Sequence, residues 1–367
     1  MICRRYFTNK SNWNFFKTMN IKNTKKALVS FYQKHKKKIF IAARIIISIG
    51  LILYLIFFKS GLRDFKTFAG ILRNVDIYLL IASASIYLFG IWISVLRWQI
   101  LLKTQGIHIS QGYLSSSIMI GLFFNNLLPT SIGGDIFRTI DISKKAGISM
   151  GKSASIIIIE RFSGVIVAAA FAVIALFLGF TTIGKTSYVI PVAIFFIICL
   201  ILMFIILNPS VLKLDRLVKR TRFLSKIREK LKEIYHTFLS FKKFKLHLTG
   251  AIICSILLQL GVIYHYYLAA RAMDTGLSFA SFIFIVPIIT IIAMLPVSIG
   301  GAGVRENSLV FLMVALGAVP GRSAVLSLVL FAMLLILGII GVIIYIIRPF
   351  ILKKPLPENM EKGQGNF

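Results

Sequence analysis

The chain has 367 residues, 57% of them hydrophobic, with a mean hydropathy of +0.86 and a formal net charge of +31. A soluble protein this basic would suggest nucleic acid, but apolar runs of bilayer length recur along the chain and the charge lies between them, which excludes a soluble nucleic-acid-binding domain. Cys3, Cys199 and Cys254 lack metal-ligand spacing and the five histidines are scattered, so no metal, disulfide framework or cofactor is expected.

Residues 1–38 carry eleven Lys or Arg and no acid, and read as a basic cytoplasmic tail, disordered before about Lys34, with Met19 an alternative start. A bilayer needs about 20 mostly apolar residues per helix. Ile39–Phe58, Ile77–Leu96, Ser153–Phe180, Tyr188–Leu207, Leu248–Leu268 and Ser323–Ile347 meet that length. The first is too long for a cleaved signal segment and is read as retained, with Arg44 reaching back to the interface. Arg97-Trp98 reads as an interface anchor. Leu114–Leu128 is short and is interrupted by Asn125, Asn126 and Pro129. Ile136–Lys145 is amphipathic, with Arg138, Asp141, Lys144 and Lys145 towards water. The linker 208–247 holds twelve basic residues against three acids, a composition suited to a surface helix on anionic lipid. Residues 348–367 form a second cytoplasmic tail.

The chain repeats itself. Leu128–Arg138 returns 167 positions later as Leu295–Arg305 with seven of eleven positions identical, and Gly147–Ala154 returns 170 positions later as Gly317–Ala324. Matched blocks in the same order indicate a duplicated unit, which in membrane transporters builds paired broken helices around a central site. Repeat one spans about 77–207 and repeat two about 248–347, within one membrane domain of residues 39–347. If Leu114–Leu128 crossed the membrane completely, the basic linker would lie outside. A run that enters and turns back keeps Lys144, Lys145, Lys152 and the linker in the cytoplasm. The second copy is reached from the other side, either as a re-entrant hairpin or as two short crossings. The expected fold is an all-α polytopic membrane protein of about six to eight spanning helices, with two re-entrant LPxSIGG hairpins in an inverted-topology repeat.

The repeated motif suits a helix break inside a membrane. Pro129 and Pro296 end the incoming segment, and Gly133-Gly134 and Gly300-Gly301 allow close approach. Ser131 and Ser298 are candidate caps of the outgoing half-helices. Such a half-helix presents free N–H groups which, with Arg138 or Arg305 beside them, suit an anionic head group. The alternative is a tightly packed structural kink. Glu160-Arg161 sits inside an apolar segment, where ionisable residues point to function, unless both reach the interface. Neighbours in sequence diverge on a helix, so Glu160 and Arg161 each need a separate partner. Asp135 and Arg138 are spaced to pair, Arg305-Glu306 opens the second half-helix, and the expectation is one polar network between the hairpins.

Asn126–Arg138, followed by Glu160-Arg161 and then by Pro296 with Gly300–Glu306, resembles the transmembrane region of lysylphosphatidylglycerol synthases, over roughly residues 40–347. Stand-alone members of that group are described as flippase-like. Family members usually carry Glu where this chain has Asp135, which shortens the reach and keeps the charge. The resemblance implies movement of a lipid or lipid-linked head group between leaflets. The full synthases continue into a soluble aminoacyltransferase domain. This sequence ends twenty residues after its last apolar segment, so lysyl transfer is not expected of it.

Three readings follow. The first is a lipid translocase of the cell membrane with both termini cytoplasmic, acting on an anionic phospholipid or a polyprenyl- or glycolipid phosphate. It places Asp135, Arg138, Glu160 and Glu306 around one water-accessible cavity. The second is a non-catalytic partner or scaffold for a separately encoded lipid-modifying enzyme, in which the same charges are individually paired and dry. The third, an intramembrane enzyme, lacks a nucleophile–base pair in the sequence. Gly151-Lys152-Ser153 also lacks the upstream glycine of a nucleotide-binding loop.

Overall fold

The computed structural model describes residues 45–55, 65–127, 133–179, 244–294 and 298–352. Among these residues every regular element is helical. A short apolar helix, α1 (Ile45–Tyr54), and α2 (Phe65–Arg73) precede the two repeats. Repeat one contains α3 (Ile77–Lys103), α4 (Gln111–Leu127), α5 (Gly133–Ala146) and α6 (Met150–Gly179). Repeat two contains α7 (Lys245–Ala272), α8 (Phe279–Met294), α9 (Val304–Ala315) and α10 (Pro320–Leu352), with a 3₁₀ turn at Ile299–Gly301. The expected segment Tyr188–Leu207, the linker as far as Lys243, residues 1–38, residues 353–367 and the tip residues 128–132 and 295–297 lie outside the described residues; the tail expected from residue 348 starts later, because α10 continues to Leu352.

Among the described residues, the four long helices α3, α6, α7 and α10 are long and apolar enough to cross a membrane. Their outer faces carry large exposed apolar side chains such as Phe89, Ile253, Ile339 and Ile346. In water that surface would drive aggregation, whereas in lipid it is the expected exterior, because a helix hydrophobic all round belongs in a core or a bilayer. The chain is a multi-pass helical membrane protein.

The duplication is visible in the turns. After α5, Gly147 takes a positive φ of 64° and the Ile148 N–H donates to the Ser143 carbonyl at 3.1 Å. After α9, Gly317 takes a φ of 95° and the Ala318 N–H donates to the Met313 carbonyl at 3.0 Å. Both are left-handed helix stops of the same form, which favour glycine. The stops after α3 and α7 match as well: Ile107 donates to Leu102 at 3.1 Å beside Gly106, and Thr275 donates to Ala270 at 3.2 Å beside Asp274, whose φ is 48°.

The repeats interlock. α3 and α7 run antiparallel in the most extensive helix pair of the bundle. At one end the Asp76 N–H donates to the Ala272 carbonyl at 3.0 Å. Further along, the Ser83 hydroxyl donates to the His265 carbonyl at 2.9 Å, with the His265 Nδ1 2.7 Å from the same hydroxyl. α4 packs on α10 and α8 packs on α6, so the first short helix of each repeat lies on the last long helix of the other. Two apolar cores result. One, around Trp98, Leu102, Leu114 and Ile156, belongs mainly to repeat one. The other, around Ile263, Phe282, Val310 and Val325, belongs mainly to repeat two.

Helix α4 approaches α10 so closely that a Cβ on Gly341 would collide with the Met119 carbonyl. Gly341→Ala is therefore expected to lower stability in detergent by about 1–3 kcal/mol, the usual cost of overpacking. Gly112→Ala, where nothing lies within 4 Å of the added carbon, serves as the neutral comparison in the same thermal unfolding assay. Equal melting temperatures for the two variants would contradict this packing.

Candidate functional site

The two hairpins open at opposite ends of the bundle and come together near its middle. In the first, Tyr113 at the start of α4 donates from its hydroxyl to Asp141 near the end of α5 at 2.9 Å, so both arms open at one end of the bundle. Arg348 of α10 closes that end, bonding Asp141 at 3.0 Å and stacking 3.9 Å over the Tyr113 ring. The second hairpin opens at the other end, where Arg322, at the start of α10, pairs with Asp274 before α8 at 2.6 Å. The hairpins approach each other where a Cβ on Gly300 would lie 2.6 Å from the Asn125 carbonyl oxygen.

Side chains from neighbouring segments satisfy the broken helix ends. The Asn125 side-chain oxygen accepts the Gly134 N–H at 2.8 Å, and a Cβ on Gly134 would strike the Gly121 carbonyl, so the arms of the first hairpin touch through backbone. Gly133 and Gly134 are both buried. Asn126 donates to the Leu334 carbonyl of α10 at 3.2 Å. In the second hairpin Gly301 packs on the end of α8, with Ala293 the nearest residue. The cap of α9 is not the expected serine. Gly303 occupies the cap position and its N–H donates to the Glu306 carboxylate at 2.6 Å. Ser298 is fully buried, and its hydroxyl has no hydrogen-bond partner among the described residues, because the 3₁₀ turn moves the start of α9 downstream of it. Pro129, Ser131 and Pro296 lie outside the described residues.

Five of the charged residues form one network, buried except at Arg161, whose side chain is about one-third exposed. Glu160 on α6 is 2% exposed and is held by two arginines: Arg97 of α3 donates at 2.9 Å to one oxygen, and Arg138 of α5 at 2.6 Å to the other. Arg138 also faces Asp135 one turn earlier at 3.6 Å, and Asp135 in turn pairs with Arg161. The guanidinium of Arg138 lies 3.9 Å over the Trp98 ring, a cation–π contact made in a desolvated place. Glu160 and Arg161 take separate partners, as their divergent directions require. Glu160 is turned inward onto the two arginines. Two expectations fail at this network. Arg138 is buried rather than turned to water, because α5 packs its inner face on α4 and α6. Arg97-Trp98 is no interface anchor: α3 continues past it to Lys103, with Trp98 1% exposed and Arg97 on Glu160.

The second hairpin keeps its own pair. Arg305 donates to Glu306 from Nη2 at 2.5 Å and from Nε at 2.9 Å, and Glu306 is 2% exposed. No described hydrogen bond or ion pair joins this pair to the first network, so the single network expected between the hairpins resolves into two clusters. One reason is that the capping interaction already commits Glu306 to its own helix end.

A partly open cavity of about 190 Å³ lies against the first cluster. Its polar lining is Arg97, Glu160, Arg161, Ser255, Gln259 and Thr290. Of the four carboxylates and arginines expected around one cavity, only Glu160 lines it; Asp135, Arg138 and Glu306 do not. Arg97, Ser255 and Gln259 were not legible as site residues. Ser255 and Gln259 stand four apart on α7 and share one face, but that spacing inside an apolar run is too weak a signal alone.

Glu160→Ala leaves Arg97 and Arg138 buried without their shared carboxylate. Breaking a buried pair from one side costs about 3–5 kcal/mol, and a loss of that size is expected in thermal unfolding. A loss below about 1 kcal/mol, the range of surface pairs, would show that water reaches the network freely.

The chain is 25% identical over 282 residues to the UPF0104 membrane protein PH1989 of Pyrococcus horikoshii, covering 71% of this chain and 83% of that protein. The family described as lysylphosphatidylglycerol synthase TM region matches residues 41–353, a span that takes in both hairpins and both charged clusters. The chain belongs to the lysylphosphatidylglycerol synthase transmembrane-region family.

Proposed function

We propose that this membrane protein moves an anionic phospholipid, or a lipid-linked head group, between leaflets, with the two hairpins lining the path. The observation that carries the reading is the meeting of two oppositely directed hairpins at Gly300 and Asn125, with a buried arginine–carboxylate network on one side of the junction. Irregular backbone at membrane depth is tolerated where protein or a wet cavity satisfies it, and transporters place their sites at such helix breaks. In this reading both hairpins are re-entrant. The protein sits in the cell membrane, with the end that carries Lys144, Lys145 and Arg348 towards the cytoplasm, by the excess of basic residues there. In this reading the chain acts as a carrier.

One observation favours a second reading. The charges of both clusters are buried and paired, which is what a non-catalytic membrane partner of a separately encoded lipid-modifying enzyme requires. A translocase would have to open the Arg97–Glu160–Arg138 contact during its cycle, since a fixed network cannot pass a ligand from one side to the other.

Leaflet exchange of fluorescent lipids in proteoliposomes separates the two. Wild-type protein is expected to exchange phosphatidylglycerol faster than protein-free vesicles. Glu160→Gln and Arg305→Ala, reconstituted at equal density, should each lower the rate by about tenfold, the effect of roughly 1.4 kcal/mol on a barrier. Absence of exchange with anionic, zwitterionic and polyprenyl-phosphate probes alike would remove the translocase reading and leave the partner reading.

A further inference from the structure

We propose that Tyr113, Asp141 and Arg348 form a gate at the mouth of the first hairpin, released when an anionic phosphate group takes the place of the Asp141 carboxylate on Arg348. The three side chains form a closed set. One Asp141 oxygen accepts from the Tyr113 hydroxyl at 2.9 Å, the other from Arg348 Nη2 at 3.0 Å, and the Arg348 guanidinium lies 3.9 Å over the Tyr113 ring. Tyr113 and Asp141 belong to α4 and α5 of repeat one and Arg348 to α10 of repeat two, so the contact closes one repeat against the other. It stands apart from the frame that the repeats share. Lys152 and Arg322 occupy matching positions in the duplicated block. Lys152 reaches the Gln105 carbonyl at 3.4 Å and Arg322 reaches Asp274, each strapping the last long helix of a repeat to the turn after its first. Arg348 instead straps α10 to a hairpin of the other repeat.

The gate ends a seam along α10. Leu334, Gly338, Gly341, Tyr345 and Arg348 follow one another at alternating steps of four and three, the spacing of one helix face. All five meet the first hairpin. At the inner end the Leu334 carbonyl accepts from Asn126, a Cβ on Gly338 would lie 2.7 Å from the Asn126 side-chain nitrogen, and Gly341 packs on the Met119 backbone. That part is closed through glycines and cannot separate without moving whole helices. Nearer the mouth the contacts are between side chains: Tyr345 meets Phe124 and Phe137 edge-on at 5.6 and 6.1 Å, and Arg348 follows one turn later. Side chains part by changing rotamer, so the seam can open from this end while its inner end stays packed. One turn inward of Asp141 along α5 stands Arg138 of the charged network.

Charge identifies what would release the gate. Among the described residues at this end of the bundle, Lys103, Lys144 and Lys145 are exposed and Asp141 is the sole carboxylate. Lys145 stands 5.3 Å from the centre of the Tyr113 ring. The exposed lysines draw an anion to the mouth, where it competes with Asp141 for the same guanidinium. Phosphate matches the guanidinium fork as a carboxylate does. An anion that binds Arg348 only after Asp141 has left it binds the open form alone, which is the condition for a ligand to shift a conformational equilibrium. The phosphate can come from a lipid head group or from a soluble phosphodiester. The gate rests on the lipid-handling reading above, but its opening is measured without transport.

The test is amide hydrogen exchange of the full chain in detergent, read by mass spectrometry over residues 111–119 and 139–146, with α8 and α9 as the internal reference. Dioctanoyl phosphatidylglycerol is expected to speed exchange at the mouth of the wild type by about threefold or more and to leave the reference unchanged. Dioctanoylglycerol, which lacks the phosphate, should have no effect. Asp141→Asn keeps the shape but gives up the ion pair, so it should exchange at the fast rate without lipid. Arg348→Gln should do the same and should not respond to lipid, because the partner of the anion is gone. A merely structural pair would loosen in both variants but would leave the wild type indifferent to phosphatidylglycerol. An equal response to soluble glycerophosphoglycerol would support the gate and assign its release to the phosphodiester alone. A wild type that ignores phosphatidylglycerol, or responds equally to dioctanoylglycerol, would overturn the gate even if leaflet exchange is observed. So would an Asp141→Asn protein that exchanges like wild type, or a lipid response that survives in Arg348→Gln. Lipid-dependent opening without any leaflet exchange would retain the gate and remove the translocase.

Discussion

A helix that stops inside an apolar medium leaves backbone N–H and C=O groups that only the protein can satisfy. That constraint organises the centre of this bundle. The start of α5 is served by the Asn125 side chain, and the start of α9 by Glu306. Asn126 ties the end of α4 to α10, and Asn307 on α9 reaches the Leu51 carbonyl of α1 at 2.8 Å. Apart from Glu306, which caps its own helix, each partner comes from a segment that must approach closely. The contacts at Gly134, Gly300 and Gly341 are therefore the geometric condition for satisfying the broken ends, and a side chain at any of them would separate helices whose polar groups need one another.

The two repeats share a backbone plan but not a charge plan. Arg138 and Arg305 stand at matching positions of the repeated motif. Arg138 is neutralised from a distance by Glu160 on the next long helix, while Arg305 is neutralised by its immediate neighbour Glu306. Glu306 does two things at once, capping α9 and pairing with Arg305, which keeps that cluster local. Glu160 binds arginines from two different helices and thereby couples α3, α5 and α6. An inverted repeat with unequal charge clusters has two non-equivalent faces, and the cavity lies against the cluster that joins several helices.

Burial of this network is a weak source of net stability. Removing charges from water carries a large cost, and well-packed apolar residues of similar volume often do as well or better. Its retention in the middle of an apolar bundle is what makes residues such as Glu160 candidates for function. The cation–π contact of Arg138 with Trp98, and the Ser255 hydroxyl that accepts from Arg97 and lies 3.1 Å from the Ser163 hydroxyl, hold the guanidiniums in place.

Membrane residence, the duplication and the pairing of Asp135 with Arg138 were legible in the sequence, because each depends on local composition, on matched motifs or on helical spacing. The matched stops at Gly147 and Gly317 were within reach for the same reason, whereas the stop at Asp274 was hidden because its counterpart is a glycine. What sequence could not supply was direction across helices. Arg97 looked like an interface anchor because it follows an apolar run, yet α3 extends beyond it and turns it onto Glu160. Ser298 looked like a cap because it precedes two glycines, yet the 3₁₀ turn places the helix start at Gly303. The sequence by itself determined that the chain lives in a membrane and is built twice. Only the tertiary structure decided which charges meet and where the cavity lies, because those depend on the rotation of each helix about its axis and on the crossing of segments far apart in the chain.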